Sequence, residues 1–109
     1  MLFGGAGDDE LMGRQGRDTL NGGTGDDLLI GGIARDSFEF AAGDGDDTIE
    51  DFQVDTDTFV LLGDLTIDSV EDTDTDGGGG ADATLVTFDS GDTVTLLGLV
   101  GLDEDDLFL

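Results

Sequence analysis

The first third of this chain repeats itself every nine residues, and that beat leaves few folds open. Residues 4–12, 13–21, 22–30 and 31–39 are four successive copies. Position six is Asp in all of them: Asp9, Asp18, Asp27 and Asp36. Position eight is apolar in all of them: Leu11, Leu20, Leu29 and Phe38. Glycine dominates positions one, two and four. A fixed short period of this kind marks a chain that coils on itself, each copy stacking on a neighbour to share one core.

Glycine at positions one, two and four lets the backbone take positive φ and turn sharply. Such a turn aims carbonyls inward, where each is a neutral oxygen donor, and Asp at position six adds a charged one. The three residues that follow alternate out, in, out, as a short strand does, with the apolar residue pointing in. Two repeats, 18 residues, make one turn of a flattened coil. Each strand then lies beside the strand two repeats later, about 4.8 Å away. The loops stack at the same spacing, and a cation between stacked loops is bridged by two Asp residues. One loop alone is insufficient, because calcium takes about 6–8 oxygens at roughly 2.3–2.6 Å.

Charge makes the same demand. Acids number 28 against three arginines, for a formal charge of −25 over 109 residues. That charge opposes compaction, and acidic chains poor in aromatics are often disordered. Here the hydrophobic share is an ordinary 37%, and the Asp residues keep fixed offsets. The expectation is one ordered domain whose carboxylates are neutralised by bound cations and which is loose without them. The chain has no Cys and no His. Disulfides and thiolate or imidazole metal sites are therefore excluded, and an oxygen-only donor set points to a hard cation, calcium before magnesium. Nucleic acid is not an expected partner, because phosphate binding needs a basic footprint. No stretch approaches the ~18 apolar residues of a membrane span, and no N-terminal signal peptide is evident.

The array resembles the RTX repeat proteins: serralysin-type proteases, RTX lipases and the R-modules of mannuronan epimerases. The resemblance implies an all-β fold. A short parallel β-roll over residues 1–61 would lead into antiparallel hairpins over residues 62–109, a β-sandwich-like cap within one continuous domain. In that family each calcium takes oxygens from positions two, four and six of one loop. The rest come from positions one, three and six of the loop two repeats on. Carried over, one site uses Gly5, Gly7 and Asp9 with Gly22, Thr24 and Asp27. A second uses Arg14, Gly16 and Asp18 with Gly31, Ile33 and Asp36. Only the Asp residues contribute side chains. Arg14 stands in place of the second Gly of repeat two, and Ala34 in place of the third Gly of repeat four. Positive φ costs about 1 kcal/mol or more in a residue with a Cβ. The even-numbered stack is therefore expected to hold the weaker site.

A degenerate fifth copy spans residues 42–50, starting two residues late, so that Phe40-Ala41 is an insertion. Stacked on repeat three, it implies a third site from Gly23, Gly25 and Asp27 with Ala42, Asp44 and Asp47. The following stretch, through Asp57-Thr58-Phe59-Val60-Leu61, resembles the segment that closes the family's roll, where acids matching Asp47 and Asp57 hold a terminal calcium. The resemblance thus implies about three calcium sites and allows a fourth.

The second half loses the beat and reads as antiparallel β. Residues 66–70 make one expected strand. Residues 83–88 and 92–97, joined by Asp89-Ser90-Gly91, make a hairpin in which Thr alternates with Leu, Val and Phe. Phe38, Phe40, Phe52 and Phe59 supply bulk where roll and hairpins meet. The run from Asp72 to Gly77 opens like an EF-hand loop, but Ala83 occupies its twelfth position and no helices are expected to flank it. The last residues read as a helical turn and a final edge strand. They also resemble the C-terminal signal of type I secretion substrates, an acid followed by a few apolar residues. That implies a secreted, extracellular protein whose partner in export is the type I secretion apparatus. Leu2 lies nine residues before Leu11, in the inward phase. Met1-Leu2-Phe3 therefore reads as the tail of an earlier repeat, in a chain that is the C-terminal piece of a longer, monomeric protein.

Arg14, Arg17 and Arg35 all fall in repeats two and four. Their ordinary role is charge balance beside loop carboxylates. The alternative, by resemblance to the epimerase modules, is a landing site for an anionic polysaccharide. Catalysis is not expected of this chain. Without His, Cys or Lys, the hydroxyls of Ser37, Ser69 and Ser90 have no base beside them, and nothing marks out a working carboxylate pair.

Overall fold

The computed structural model describes residues 1–75 and 77–108. Seven short strands follow the repeats: β1 (Leu2–Phe3), β2 (Glu10–Met12), β3 (Thr19–Asn21), β4 (Leu28–Ile30), β5 (Ser37–Phe40), β6 (Asp46–Ile49) and β7 (Thr58–Leu61). Odd and even strands part into two sheets. One is the parallel sheet β1-β3-β5-β7, and the other begins with the parallel strands β2-β4-β6. Each strand turns the apolar residue of the repeat's eighth position inward, so the pairing register becomes a column of core residues. Leu2, Leu20, Phe38 and Phe59 align in the first sheet, and Leu11, Leu29 and Ile49 in the second. Leu20, Leu29, Phe38 and Ile49 are fully buried, each contributing about 1.5–3 kcal/mol by burial. Leu2 and Leu11, on the first rung, are only partly buried.

The expected hairpin forms from β9 (Ala83–Phe88) and β10 (Thr93–Leu97), and β8 (Ile67–Thr73) pairs antiparallel to β9. These strands do not stand apart from the roll. β10 pairs parallel to β6, with Leu96 opposite Ile49, so the second sheet grows to six strands in the order β2-β4-β6-β10-β9-β8. The phenylalanines meet at this junction. Phe40 packs on Phe59 at 4.9 Å and on Phe88 at 5.6 Å, and Phe52 packs on Phe59 at 5.3 Å, within the range of favourable ring pairs. A 3-10 turn (Glu104–Leu107), closed by an Asp103/Asp106 capping box, drops Leu107 into the same core. Phe108 follows in extended conformation and joins no strand, and Leu109 lies outside the described residues.

The nine-residue beat runs further than the glycines reveal. β7 occupies the strand position of a sixth copy, residues 52–60, with Asp57 at position six and Phe59 at position eight. The offset between rungs is 18 residues for the first copies, 20 between β4 and β6, and 21 between β5 and β7. Phe40-Ala41 accounts for the first widening and Asp51 for the second. No helix is long and apolar enough to cross a membrane among the described residues.

Candidate metal centre

The position-six carboxylates form two columns, one on each edge of the roll. In the odd column, Asp27 Oδ1 accepts the backbone N–H of Asp9 at 2.8 Å, and Asp47 Oδ1 accepts that of Asp27 at 2.9 Å. In the even column, Asp36 Oδ1 accepts from Asp18 at 2.9 Å, and Asp57 Oδ1 accepts from Asp36 at 2.9 Å. One oxygen of each acceptor Asp thus ties its loop to the loop above. At position five the lacing runs the other way, Asp26 N–H to Asp8 at 2.8 Å and Asp46 N–H to Asp26 at 2.9 Å.

The second oxygen is the informative one. Oδ2 of Asp9, Asp18, Asp27 and Asp36 is buried and has no hydrogen-bond partner. An unpartnered buried carboxylate oxygen is costly, and here the same cost recurs at four equivalent positions. Carbonyls stand near two of these atoms, those of Asp9 and Asp18. A Cβ placed on Gly4 would stand 2.6 Å from the Gly22 carbonyl oxygen and 2.8 Å from Asp9 Oδ2. One on Gly13 would meet the Gly31 carbonyl and Asp18 Oδ2 at the same distances. Carbonyls also point down the stack. The Gly5 and Gly7 carbonyls stand where a Cβ on Gly23 or Gly25 would lie, and the Gly25 carbonyl where one on Gly45 would lie. At these positions only glycine lets successive loops approach so closely. Among the described residues no three acidic side chains gather tightly enough to hold a metal ion alone. A cation between the loops would therefore have to draw on main-chain carbonyls. The donors present, buried carboxylate oxygens and carbonyls, fit a hard divalent cation.

Electrostatics supports the same fit. Burial raises Asp27, Asp44 and Asp57 above the ordinary carboxylate range, pushes Asp36 to about 6 and pushes Asp47 to about 8. The N–H bonds from the loop above oppose this, and like charge within each column adds to it: Asp9 on Asp27, Asp18 and Asp57 on Asp36, Asp27 on Asp47. Without a counter-ion these groups are driven toward the protonated form.

The two columns differ in quality. Arg14 and Ala34 both adopt positive φ, 71° and 75°, as their places in the glycine pattern require. The Arg14 carbonyl already accepts Ile33 N–H at 3.0 Å. Thr24 and Ile33 turn their side chains to solvent, so they can offer only main-chain oxygen. Asp44 folds back instead, its carboxylate accepting Ala41 N–H at 2.9 Å. Asp47 and Asp57, expected together at a terminal site, stand in opposite columns, bonded to Asp27 and Asp36 respectively.

Three residues that the sequence did not single out close the stacks. Both oxygens of Asp51 accept from repeat four, Gly31 N–H at 2.9 Å and Gly32 N–H at 2.8 Å. Asp92, just before β10, accepts Gly43 and Gly45 N–H from loop five. Burial pushes Asp92 up, but the Ser90 hydroxyl and these two N–H groups outweigh it and hold the carboxyl below the usual range. Gln53 N–H fills Asp57 Oδ2 at 2.9 Å, so the last loop has the partner that the earlier ones lack. Arg17 and Arg35 line one groove with Thr19, Ser37, Thr56 and Thr58 and with the even-column carboxylates Asp18 and Asp36, and Arg14 is not part of it. The Asp72–Gly77 run is braced by Asp74, whose carboxylate accepts Gly77 and Gly79 N–H. Its Asp76 lies outside the described residues.

A two-sheet parallel coil with stacked glycine loops and inward Asp columns defines a calcium-type β-roll, a class of β-solenoid. Residues 3–38 match the RTX calcium-binding nonapeptide repeat in 4 copies, and this array belongs to that family. The RTX repeat array is a non-catalytic calcium-binding structure. Comparison with curated proteins gave no match.

Proposed function

We propose that this chain is a calcium-triggered folding domain at the C-terminal end of a larger secreted protein, serving that protein's folding and its export by a type I secretion apparatus. The observation that carries the reading is the set of four buried Oδ2 atoms without partners, in loops stacked so closely that carbonyls of one approach the glycines of the next. Three sites follow, with ligands assigned from the family pattern. Gly5, Gly7 and Asp9 face Gly22, Thr24 and Asp27. Arg14, Gly16 and Asp18 face Gly31, Ile33 and Asp36. Gly23, Gly25 and Asp27 face Ala42, Asp44 and Asp47. A bound calcium ion supplies the positive charge that these buried carboxylates lack.

Extracellular calcium modules bind at roughly 10⁻⁴–10⁻³ M. At ten times the dissociation constant each site adds about 1.4 kcal/mol, and three add about 4 kcal/mol. That is comparable with the net stability of a small domain, about 5–15 kcal/mol. In the low-calcium cytoplasm the −25 chain stays loose and exportable, and outside it folds. Circular dichroism and thermal melting with and without EGTA test this. The β signal and the melting transition should fall on chelation and return with calcium, and an unchanged spectrum and melting temperature would refute the mechanism. Export of a reporter fused ahead of residues 1–109, lost when residues 102–109 are removed, tests the secretion half.

A second reading has one observation behind it. Arg17 and Arg35 share a groove with four hydroxyl side chains and with Asp18 and Asp36; with calcium on those two carboxylates, the arginines and hydroxyls would offer an anionic polysaccharide both charge and hydrogen bonds. An oligouronate titration that leaves the arginine NMR signals unmoved would end it.

A further inference from the structure

Asn21 is the only asparagine in the chain, and Gly22 follows it. An Asn-Gly pair in a free chain is prone to ring closure, because glycine has no Cβ beside its nitrogen to hinder attack on the neighbouring amide carbon, and its backbone is free to take the needed conformation. Here the pair sits at the joint between β3 and the third glycine loop, and the fold holds it on every side. Phe3 of β1 pairs with Asn21, whose carbonyl accepts Gly4 N–H at 2.9 Å. The side-chain Oδ1 accepts Gly23 N–H at 2.9 Å, and Nδ2 reaches Glu39 at 3.4 Å. Gly22 is buried, and a Cβ at its position would collide with the Asp27 carboxylate. The amide is thus tied to Gly23 N–H, two residues on, and to Glu39, while Gly22 is packed against Asp27, so neither is free to swing into the ring-closing geometry.

We infer that Asn21-Gly22 is a spontaneous modification site that the folded roll keeps shut and an opened roll exposes. Gly22 N gives up its proton and bonds to Asn21 Cγ. The Cγ–Nδ2 bond breaks, and Nδ2 leaves as ammonia, carrying that proton. The resulting five-membered imide is opened by one water. Attack at Cγ leaves aspartate, and attack at the main-chain carbonyl leaves an isoaspartyl residue whose backbone runs through Cβ and Cγ. No oxidant is involved. Either product puts a carboxylate one rung from Glu39 and removes the amide donor that met it. The isoaspartyl form also lengthens the chain between β3 and loop three, shifting the odd loops against the even ones. Gating by calcium rests on the folding reading above, whereas gating by the fold does not.

Three samples separate the two: the full chain in calcium, in EGTA, and in calcium with unfolding concentrations of urea. Conversion is read by intact mass and by isoaspartyl mapping at residue 21, with circular dichroism followed alongside. Conversion in urea should exceed that in calcium by at least about tenfold, the factor given by about 1.4 kcal/mol of local opening free energy. The EGTA sample should follow the urea sample. Equal rates in calcium and urea, or no conversion in urea, overturn the inference. So does the same mass gain in Asn21→Gln. If the EGTA sample stays folded and unmodified while urea converts it, the site stands and the calcium reading fails.

Discussion

Asp27→Asn should reverse the sign of its effect on stability depending on calcium. Asp27 occupies the middle of the odd column, with only 3% of its surface exposed. Its Oδ1 holds Asp9 N–H, its own N–H is held by Asp47, and its Oδ2 is unpartnered. Asparagine keeps the Oδ1 acceptor and removes a buried negative charge wedged between Asp9 and Asp47. The metal-free fold therefore gains, since burial and the Asp9 charge already push Asp27 toward protonation. With calcium the balance inverts, because Asp27 belongs to two of the three proposed sites. Losing about 1.4 kcal/mol at each, at ten times the dissociation constant, removes roughly 3 kcal/mol. For a domain of this size that lowers the melting temperature by about 10–20 °C. Thermal melts by circular dichroism in millimolar calcium, and in EGTA with sucrose to populate the metal-free fold, give both halves. A variant that melts lower under both conditions, or is unchanged in calcium, refutes the assignment of Asp27 as a shared ligand.

Acid should substitute for calcium. In the folded metal-free chain Asp36 sits at about 6 and Asp47 at about 8, against 3.8 when exposed. The folded state then holds more protons, and its stability is greatest below about pH 4 and falls as pH rises through 6 and 8. Asp36 alone accounts for about 3 kcal/mol. The β signal in EGTA should grow on acidification from about pH 8.5 to about 4.5, and a signal that stays flat or shrinks contradicts the buried columns. Arg14→Gly and Ala34→Gly should each relieve about 1–2 kcal/mol of left-handed strain, raising the melting temperature and tightening the weaker calcium step in calorimetry; no change would show that the even loops bear no strain. Asp92→Asn weakens two charge-assisted bonds to loop five and should cost about 1–3 kcal/mol in calcium and EGTA alike. A loss confined to calcium would make Asp92 a ligand and not a cap.

The repeats were legible because Asp and the apolar residue keep phase while glycine marks the loops. The sixth repeat was harder to see because it has shed those glycines. Gln53 stands at position two, and Asp55 takes positive φ, 68°, at position four. What remains is Asp57-Thr58-Phe59, the counterpart of Asp36-Ser37-Phe38, a signal that was present and readable. The glycines are dispensable there because Gln53 N–H fills the oxygen that the earlier loops leave open. The β9–β10 hairpin followed from alternation and its turn. Its attachment to β6 did not, since a short strand's pattern says which face is buried and not which edge it joins. Asp51 and Asp92 were lost among 28 acids; only the fold shows that their neighbours are N–H groups.

The pairing of β10 with β6 also sets an order in time. Rungs within the roll join residues 18 to 21 apart, whereas Thr93 must cross 47 residues to reach Asp46. Closing that longer loop costs roughly 0.8 kcal/mol more in chain entropy, and it cannot happen before residues 93–96 are free to move. Until then β6 is an open strand edge, a template for any other chain. Its own sequence guards it. Asp46 and Asp47 lie within the strand, and Glu50 and Asp51 follow it, so a second copy approaching that edge meets concentrated like charge. The acidity that the proposed calcium ions would neutralise is thus also what keeps the roll's unfinished edge from pairing with other chains.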